Sequence, residues 1–345
     1  MKKIYILFLN LLLFNLFNQA ELVAQDMRFS QSYSNPLRIN PAIMGVNTDI
    51  KAILNYRSQF AAIDNGYKTF SFTGMYPLFF NEGKSKLDIG ASIINDKMGA
   101  FKVFDAALAI DYNQEIAPNN ILTLALMGGF VQQSVDISKQ TFDYQYVMGA
   151  YNASNPSNEF GLNKSENHPE LGFGLMWFYN PSREKSKLNA YAGIAGYHLN
   201  KPNESFLGED AATPLRFAYQ GGIKILGDNK IDVSPNFRMN SQGGNLETAT
   251  GVYVDYRFNE QAKLVIGAWY RTHDAIAFLV GFEHKNFTLG YSYDMVNSNL
   301  KNVAVQANAH EITLSFKLSR ASKSKSASFG MDEAGNPRSS PISSF

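Results

Sequence analysis

The sequence predicts an all-β fold, a transmembrane antiparallel β-barrel of about 14 strands, with an N-terminal signal peptide and a short disordered C-terminal tail. Three observations predict it. The chain opens with an export signal, its body alternates with period two through successive long segments, and the connections between those segments are sorted by length.

The export signal has its three parts in order. Lys2 and Lys3 supply positive charge, Ile4 to Phe17 is a mostly apolar run interrupted by Asn10 and Asn15, and Leu22-Val23-Ala24 offers a cleavage point before Gln25. The run is about 14 residues, short of the roughly 20 that a spanning helix requires. Residues 1–24 therefore read as a signal peptide, and no later apolar stretch is long enough to span as a helix. With no cysteine, an exported chain of this length takes its stability from burial or from a closed sheet. The net charge of +1 gives no overall pull toward nucleic acid. Aromatic residues make up 13%, with 18 Tyr and 26 Phe, as suits strands and the aromatic girdles of membrane barrels.

Alternation begins near residue 49. Phe287, Leu289, Tyr291, Tyr293 and Met295 interleave with Thr288, Gly290, Ser292 and Asp294. Ile312, Leu314, Phe316 and Leu318 do so with Glu311, Thr313, Ser315 and Lys317, and Leu215, Phe217, Tyr219, Ile223 and Ile225 with Arg216, Gln220 and Lys224. Such a pattern puts one set on each face of a sheet, in a soluble sandwich as well as in a barrel. Candidate strands cover 49–59, 67–77, 86–95, 101–113, 120–132, 170–180, 187–198, 215–226, 230–240, 246–258, 262–271, 275–284, 287–296 and 310–318. Their number is even, and their lengths of about 9 to 13 residues suit tilted membrane strands rather than the roughly five or six residues of soluble ones.

Connector length separates the two folds. If both termini are periplasmic, the odd connections face outward, and these include the long ones at 133–169, 199–214 and 297–309. Gly227-Asp228-Asn229, Asn259-Glu260-Gln261 and Lys285-Asn286 are even connections and short, although the odd turns at 241–245 and 272–274 are short too. Barrels sort their loops in this way and sandwiches have no cause to. Residues 25–48 then form a periplasmic or plug segment, 49–318 the barrel, and the Ser- and Lys-rich 319–345 a flexible tail.

Catalysis has no evident seat. His168, His198, His273, His284 and His310 lack metal-ligand spacing, and no nucleophile elbow or phosphate loop occurs, so no cofactor or metal is expected. His310 beside Glu311 could be part of a hydrolase pair, but it reads better as an interfacial residue opening the last strand. The glycine pairs within strands suit curvature or close backbone approach. Asn95-Asp96-Lys97 reads as a turn with a local ion pair.

The segment before the first strand contains Phe29-Ser30-Gln31, Ser34-Asn35-Pro36, Ile39-Asn40-Pro41-Ala42 and Gly45. Its two Asn-Pro steps impose turns and extended backbone. Further on come Ile94-Asn95-Asp96-Lys97-Met98-Gly99, His198-Leu199-Asn200-Lys201-Pro202-Asn203-Glu204-Ser205-Phe206, Thr213-Pro214-Leu215-Arg216 and His310-Glu311-Ile312-Thr313-Leu314-Ser315-Phe316. In this order the motifs resemble the PorP/SprF family, outer-membrane proteins of the type IX secretion and gliding apparatus of Bacteroidota, over residues 25 to 318. The tail has no counterpart in that pattern.

The resemblance implies a non-enzymatic role in moving or holding secreted cargo at the cell surface. It implies periplasmic machine subunits as partners on one side and the C-terminal sorting domain of cargo or an adhesin on the other, in contact with outer-membrane lipid. The docking candidates are Asn35, Pro36, Asn40 and Pro41, placed on the periplasmic face or inside the barrel as a plug. Asn95, Asp96, Lys97, Asn200, Pro202 and Asn203 are placed on the external face. The alternative is a diffusion channel or hydrophobic-solute transporter, since Thr288, Ser292, Arg216, Gln220 and Lys224 would line a polar lumen.

Overall fold

The structure is a computed structural model that describes residues 27–46, 49–60, 66–80, 85–136, 141–156, 158, 165–181, 185–206, 211–227, 230–259, 261–297 and 308–318. The predicted signal peptide and the tail lie outside these residues. Fourteen antiparallel strands close into a barrel. They are β1 (Ile50–Gln59), β2 (Tyr67–Phe80), β3 (Ser85–Met98), β4 (Phe101–Ala117), β5 (Asn120–Val135), β8 (Ser165–Tyr179), β9 (Leu188–Tyr197), β10 (Arg216–Leu226), β11 (Ile231–Gln242), β12 (Asn245–Arg257), β13 (Ala262–Arg271), β14 (Ala275–His284), β15 (Phe287–Val296) and β16 (Ala309–Leu318). A separate hairpin, β6 (Tyr146–Val147) and β7 (Ala150–Tyr151), stands between β5 and β8. Closure runs from Ile50 opposite Leu318 to Gln59 opposite Ala309, so neither β1 nor β16 is an open edge. In hydrocarbon that is required, because an unpaired backbone group has no water to bond.

Burial is inverted relative to a soluble protein. Asn55, Arg57, Thr73, Asp88, Asp255, Ser292 and Glu311 are buried, whereas Leu108 and Leu126 are 66% and 67% exposed on the outside. Alternation makes this unavoidable, since each polar residue turned into the lumen turns its apolar neighbours outward. The outward set suits lipid.

The strand ends that bound the long intervals 136–164, 198–215 and 297–308 share one end of the barrel with those that bound 60–66, 99–100, 243–244 and 272–274. The strand ends at the other end bound the shorter intervals 81–84, 118–119, 180–187, 227–230, 258–261 and 285–286. Several strands outrun the expected limits. Asn95, Asp96 and Lys97 do not form a turn: they belong to β3 and pair with Phe104, Val103 and Lys102 of β4. The turn falls at Gly99, whose φ of 62° is the left-handed backbone glycine accepts readily.

Residues 27–46 lie inside the barrel, the plug placement of the two expected for the Asn-Pro segment. Short helical turns at Ser32–Ser34, Pro36–Ile39 and Pro41–Val46 carry it from the long-loop end, where Arg28 meets Glu247 and Asp274, to the short-turn end at Gly45. Tyr33, Ala42 and Ile43 join a buried cluster with Ile121, Met176, Phe178 and Tyr191 on one wall and Tyr253, Val265, Trp269 and Leu279 on the other. This apolar layer crosses the lumen, so the barrel is a filled core with a membrane-facing surface.

Candidate functional site

The lumen and the long-loop end are the two places where residues converge. Near that end of the lumen a charged network grips the plug. Arg57 reaches Asp294 at 2.9 Å and Glu311 at 3.1 Å, and Arg271 reaches Asp294 at 2.9 Å and Asp274 at 2.7 Å. Glu311 also accepts the backbone N–H groups of Ser30 at 2.8 Å and Gln31 at 3.1 Å, and Asn55 donates to it at 2.8 Å. Asn55 and Arg57 come from β1, Arg271 from β13, Asp294 from β15 and Glu311 from β16, and the plug supplies backbone donors between them. Burial of such charges is tolerable because each is paired and hydrogen-bonded.

At mid-height Asn40 donates to the carbonyls of Leu175 at 3.3 Å and Ile194 at 3.1 Å, and accepts from the N–H of Ala42 at 2.9 Å. Its amide thus ties the plug to one rung of the β8–β9 ladder, where Leu175 pairs with Ile194. The Tyr33 and Tyr191 hydroxyls hydrogen-bond across the junction of plug and wall. Arg38 pairs with Asp105 and, at 2.7 Å, with Glu170. The two carboxylates compensate the burial of its charge. At the short-turn end Lys86 donates to the carbonyl of Gly45 at 2.9 Å and pairs with Asp88 at 2.9 Å.

Outside the lumen, the β6–β7 hairpin displays Tyr144, Tyr146, Val147, Met148 and Tyr151, all exposed and Met148 completely so. Tyr146 faces Tyr151 and Val147 faces Ala150 across a two-residue turn in which Met148 (φ 52°) and Gly149 (φ 81°) are both left-handed. That is the turn geometry whose twist suits a tight hairpin. The chain therefore places a non-glycine residue in an uncommon conformation to present an apolar tip.

The ten docking candidates separate into three groups. Asn35, Pro36, Asn40 and Pro41 are buried in the lumen, and a partner would meet them only if the plug left it. Asp96, bonded by Thr69 at 2.6 Å, and Pro202 are buried at the long-loop end. Asn95, Asn200 and Asn203 are exposed at that end and Lys97 half-buried, but Asn200 is tied to β8 through Leu171 and Pro169, and Asn203 accepts from Ser205 and Ala211 of its own loop. His310 faces outward and meets the Tyr291 hydroxyl at 2.8 Å, whereas Glu311 faces the lumen, so the two cannot act together as a hydrolase pair. Among the described residues no His, Asp and Glu cluster has metal-binding geometry.

Arg57, Arg271, Asp294 and the hairpin were not among the expected sites. Their signal existed, as inward-phase charges at the strand ends and as a Tyr-rich stretch with Gly149, but Arg57 lies more than two hundred positions from its partners Asp294 and Glu311.

A protein-family model described as "Type IX secretion system membrane protein PorP/SprF" matches residues 22–316. No curated protein matches the chain. Among solved structures it resembles a Pseudomonas aeruginosa FadL homologue at 11% identity and TM-score 0.53, over 81% of this chain and 92% of the other. It also resembles the Pseudomonas putida toluene transporter TodX (8% identity, TM-score 0.51, 86% and 95% covered) and the CymD monoaromatic hydrocarbon channel (9%, 0.51, 82% and 91%). At these identities the likeness is one of fold.

Proposed function

The chain belongs to the PorP/SprF family of type IX secretion system membrane proteins, and we propose on that footing that it acts as a docking barrel. The family and fold are those of an outer-membrane secretion barrel, associated with the secretion machinery, and not of a known enzyme class. In our reading the long-loop end meets secreted cargo or the C-terminal domain of an adhesin outside the cell. The short-turn end, where the chain leaves β16 toward residues 319–345, meets periplasmic subunits of the machine.

One observation carries this reading: the apolar β6–β7 hairpin held beyond the strand ends. Exposed aromatic and Met side chains there gain nothing from lipid, and contiguous patches of this kind mark partner surfaces. The outer edges of β6 and β7 also offer unpaired backbone groups to an extended segment of cargo. Asn95, Lys97, Asn200 and Asn203 form the polar surroundings of the same end. Replacing residues 144–151 by a Gly-Ser turn tests it: the barrel is expected to assemble normally while surface display of cargo falls. Cargo display unchanged with the hairpin gone would refute docking there. Deleting 319–345 examines the periplasmic side through co-purification of machine subunits, whose unchanged recovery would remove the tail from the scheme.

The alternative, a hydrophobic-solute transporter or diffusion channel, draws support from neighbours described as a toluene transporter and a hydrocarbon channel. Their likeness concerns fold alone, and here the lumen is charged and crossed by the plug.

A further inference from the structure

A cavity of about 90 Å³ lies between the plug and the β10–β13 wall, on the long-loop side of the apolar layer. Five arginines line it, Arg28, Arg38, Arg216, Arg238 and Arg271, against a single carboxylate, Glu247. Four of them are occupied in ways that hold them in place. Arg28 pairs with Glu247 at 3.3 Å, Arg38 with Asp105 and Glu170, Arg271 with Asp274 and Asp294, and Arg216 donates to the Arg38 carbonyl at 3.3 Å while lying 4.0 Å over the Tyr197 ring. Arg238 differs. Its guanidinium stacks 4.3 Å over Trp269, its buried Nε makes no hydrogen bond, and no described carboxylate is within ion-pair distance. Stacking fixes the plane of the group and leaves its edge to donate.

Two neutral side chains complete the cradle. Asn35 is 1% exposed and neither atom of its amide has a hydrogen-bond partner. Gln220, 4% exposed and directly opposite Arg238 in the β10–β11 ladder, donates its Nε2 to the Met176 sulfur at 3.1 Å and leaves Oε1 unpartnered, an acceptor that bounds the site and donates nothing to it. Buried polar groups without partners are uncommon and call for an explanation. Ala218 and Asn240 form the rung between Arg216–Gln242 and Gln220–Arg238, and the small Ala218 leaves room there. A guanidinium edge with an amide N–H beside it is the donor set that binds an oxyanion, and carboxylate and phosphate share that chemistry.

We infer that this cavity is a binding site for a single small oxyanion group, a carboxylate or a phosphate, held by the Arg238 edge and the Asn35 amide and reached from the long-loop mouth. The site lies between plug and wall, so its occupant ties the two together. It does not depend on cargo docking at the hairpin.

Calorimetric titration of the purified full chain in detergent tests it, with inorganic phosphate and acetate as separate probes and chloride at matched ionic strength as the blank. One saturable site is expected for at least one probe, and which probe binds assigns the class. Arg238→Gln should weaken binding at least tenfold and Arg238→Lys should restore part of it. Should Arg238→Gln fail to fold, Asn240→Asp, which adds negative charge at the cavity, must weaken binding by a similar factor. Lys317→Gln, a lumen cation at the other end, should leave affinity unchanged. Saturation by neither probe would overturn the assignment, as would full affinity in the cavity variants or an equal loss in Lys317→Gln.

Discussion

Asp294 shows how much one residue of the lumen holds. Its carboxylate serves Arg57, Arg271 and the Ser30 hydroxyl together, with 2% of the side chain exposed. Asp294→Ala removes the partner and leaves two buried guanidinium groups competing for what remains. Loss of one member of a buried pair costs about 3–5 kcal/mol, and urea unfolding in lipid vesicles is expected to show a loss of that order. Lys102→Ala is the contrast, because its 3.9 Å pair with Asp136 is solvent-exposed and such pairs contribute roughly 0–1 kcal/mol. Gly45 makes a second point of the same kind. A Cβ there would sit 2.0 Å from Asn113 Oδ1 and 2.4 Å from Thr123 Oγ1, so Gly45→Val should unseat the lower plug and make residues 27–46 sensitive to added protease. The Asn-Pro steps were conspicuous in the sequence, but the bonds of Asn40 to Leu175 and Ile194 join residues more than a hundred positions apart. No local pattern announces them.

At the scale of elements, period-two alternation was enough to find every barrel strand, because it is a local property of each segment. The strand ends were less legible. β8 begins at Ser165 rather than 170, and its first residues, Ser165 to Asn167, are polar on both faces. They pair with Ser134, Gln133 and Gln132 of β5 without needing an apolar side. β3 outran its expected end for the same reason, since Asn95 to Lys97 carry turn-forming residue types and still ladder with β4. The β6–β7 hairpin fell within a stretch read as loop, its strands being too short for alternation to register. The faces themselves give a prediction. Leu126 points outward and Ala125 inward, so Leu126→Arg sets a charge against lipid at a cost of about 2–4 kcal/mol near the midplane. Folding titrations into vesicles should register that loss, and Leu126→Ile should register little.

The whole molecule is where sequence reading stopped. Fourteen strands and sorted loops implied a barrel, and the family motifs implied a secretion component. Whether the Asn-Pro segment docks outside or fills the lumen depends on contacts from all around the wall, among them Glu311, Arg57, Tyr191, Leu175 and Lys86. With the segment seated, Tyr33, Ala42 and Ile43 join Phe178 on one wall to Trp269 on the other in one buried apolar cluster, which predicts a lumen closed to solutes. A docking role is compatible with a lumen filled in this way, whereas a diffusion channel needs an open path.

Single-channel recording in planar bilayers tests this most directly, comparing the full chain with a variant lacking residues 27–46. The full chain should insert without steady current, and the shortened one should conduct steadily through the opened lumen. Large steady currents from the full chain, equal to those of the shortened one, would contradict the closed barrel and favour the channel.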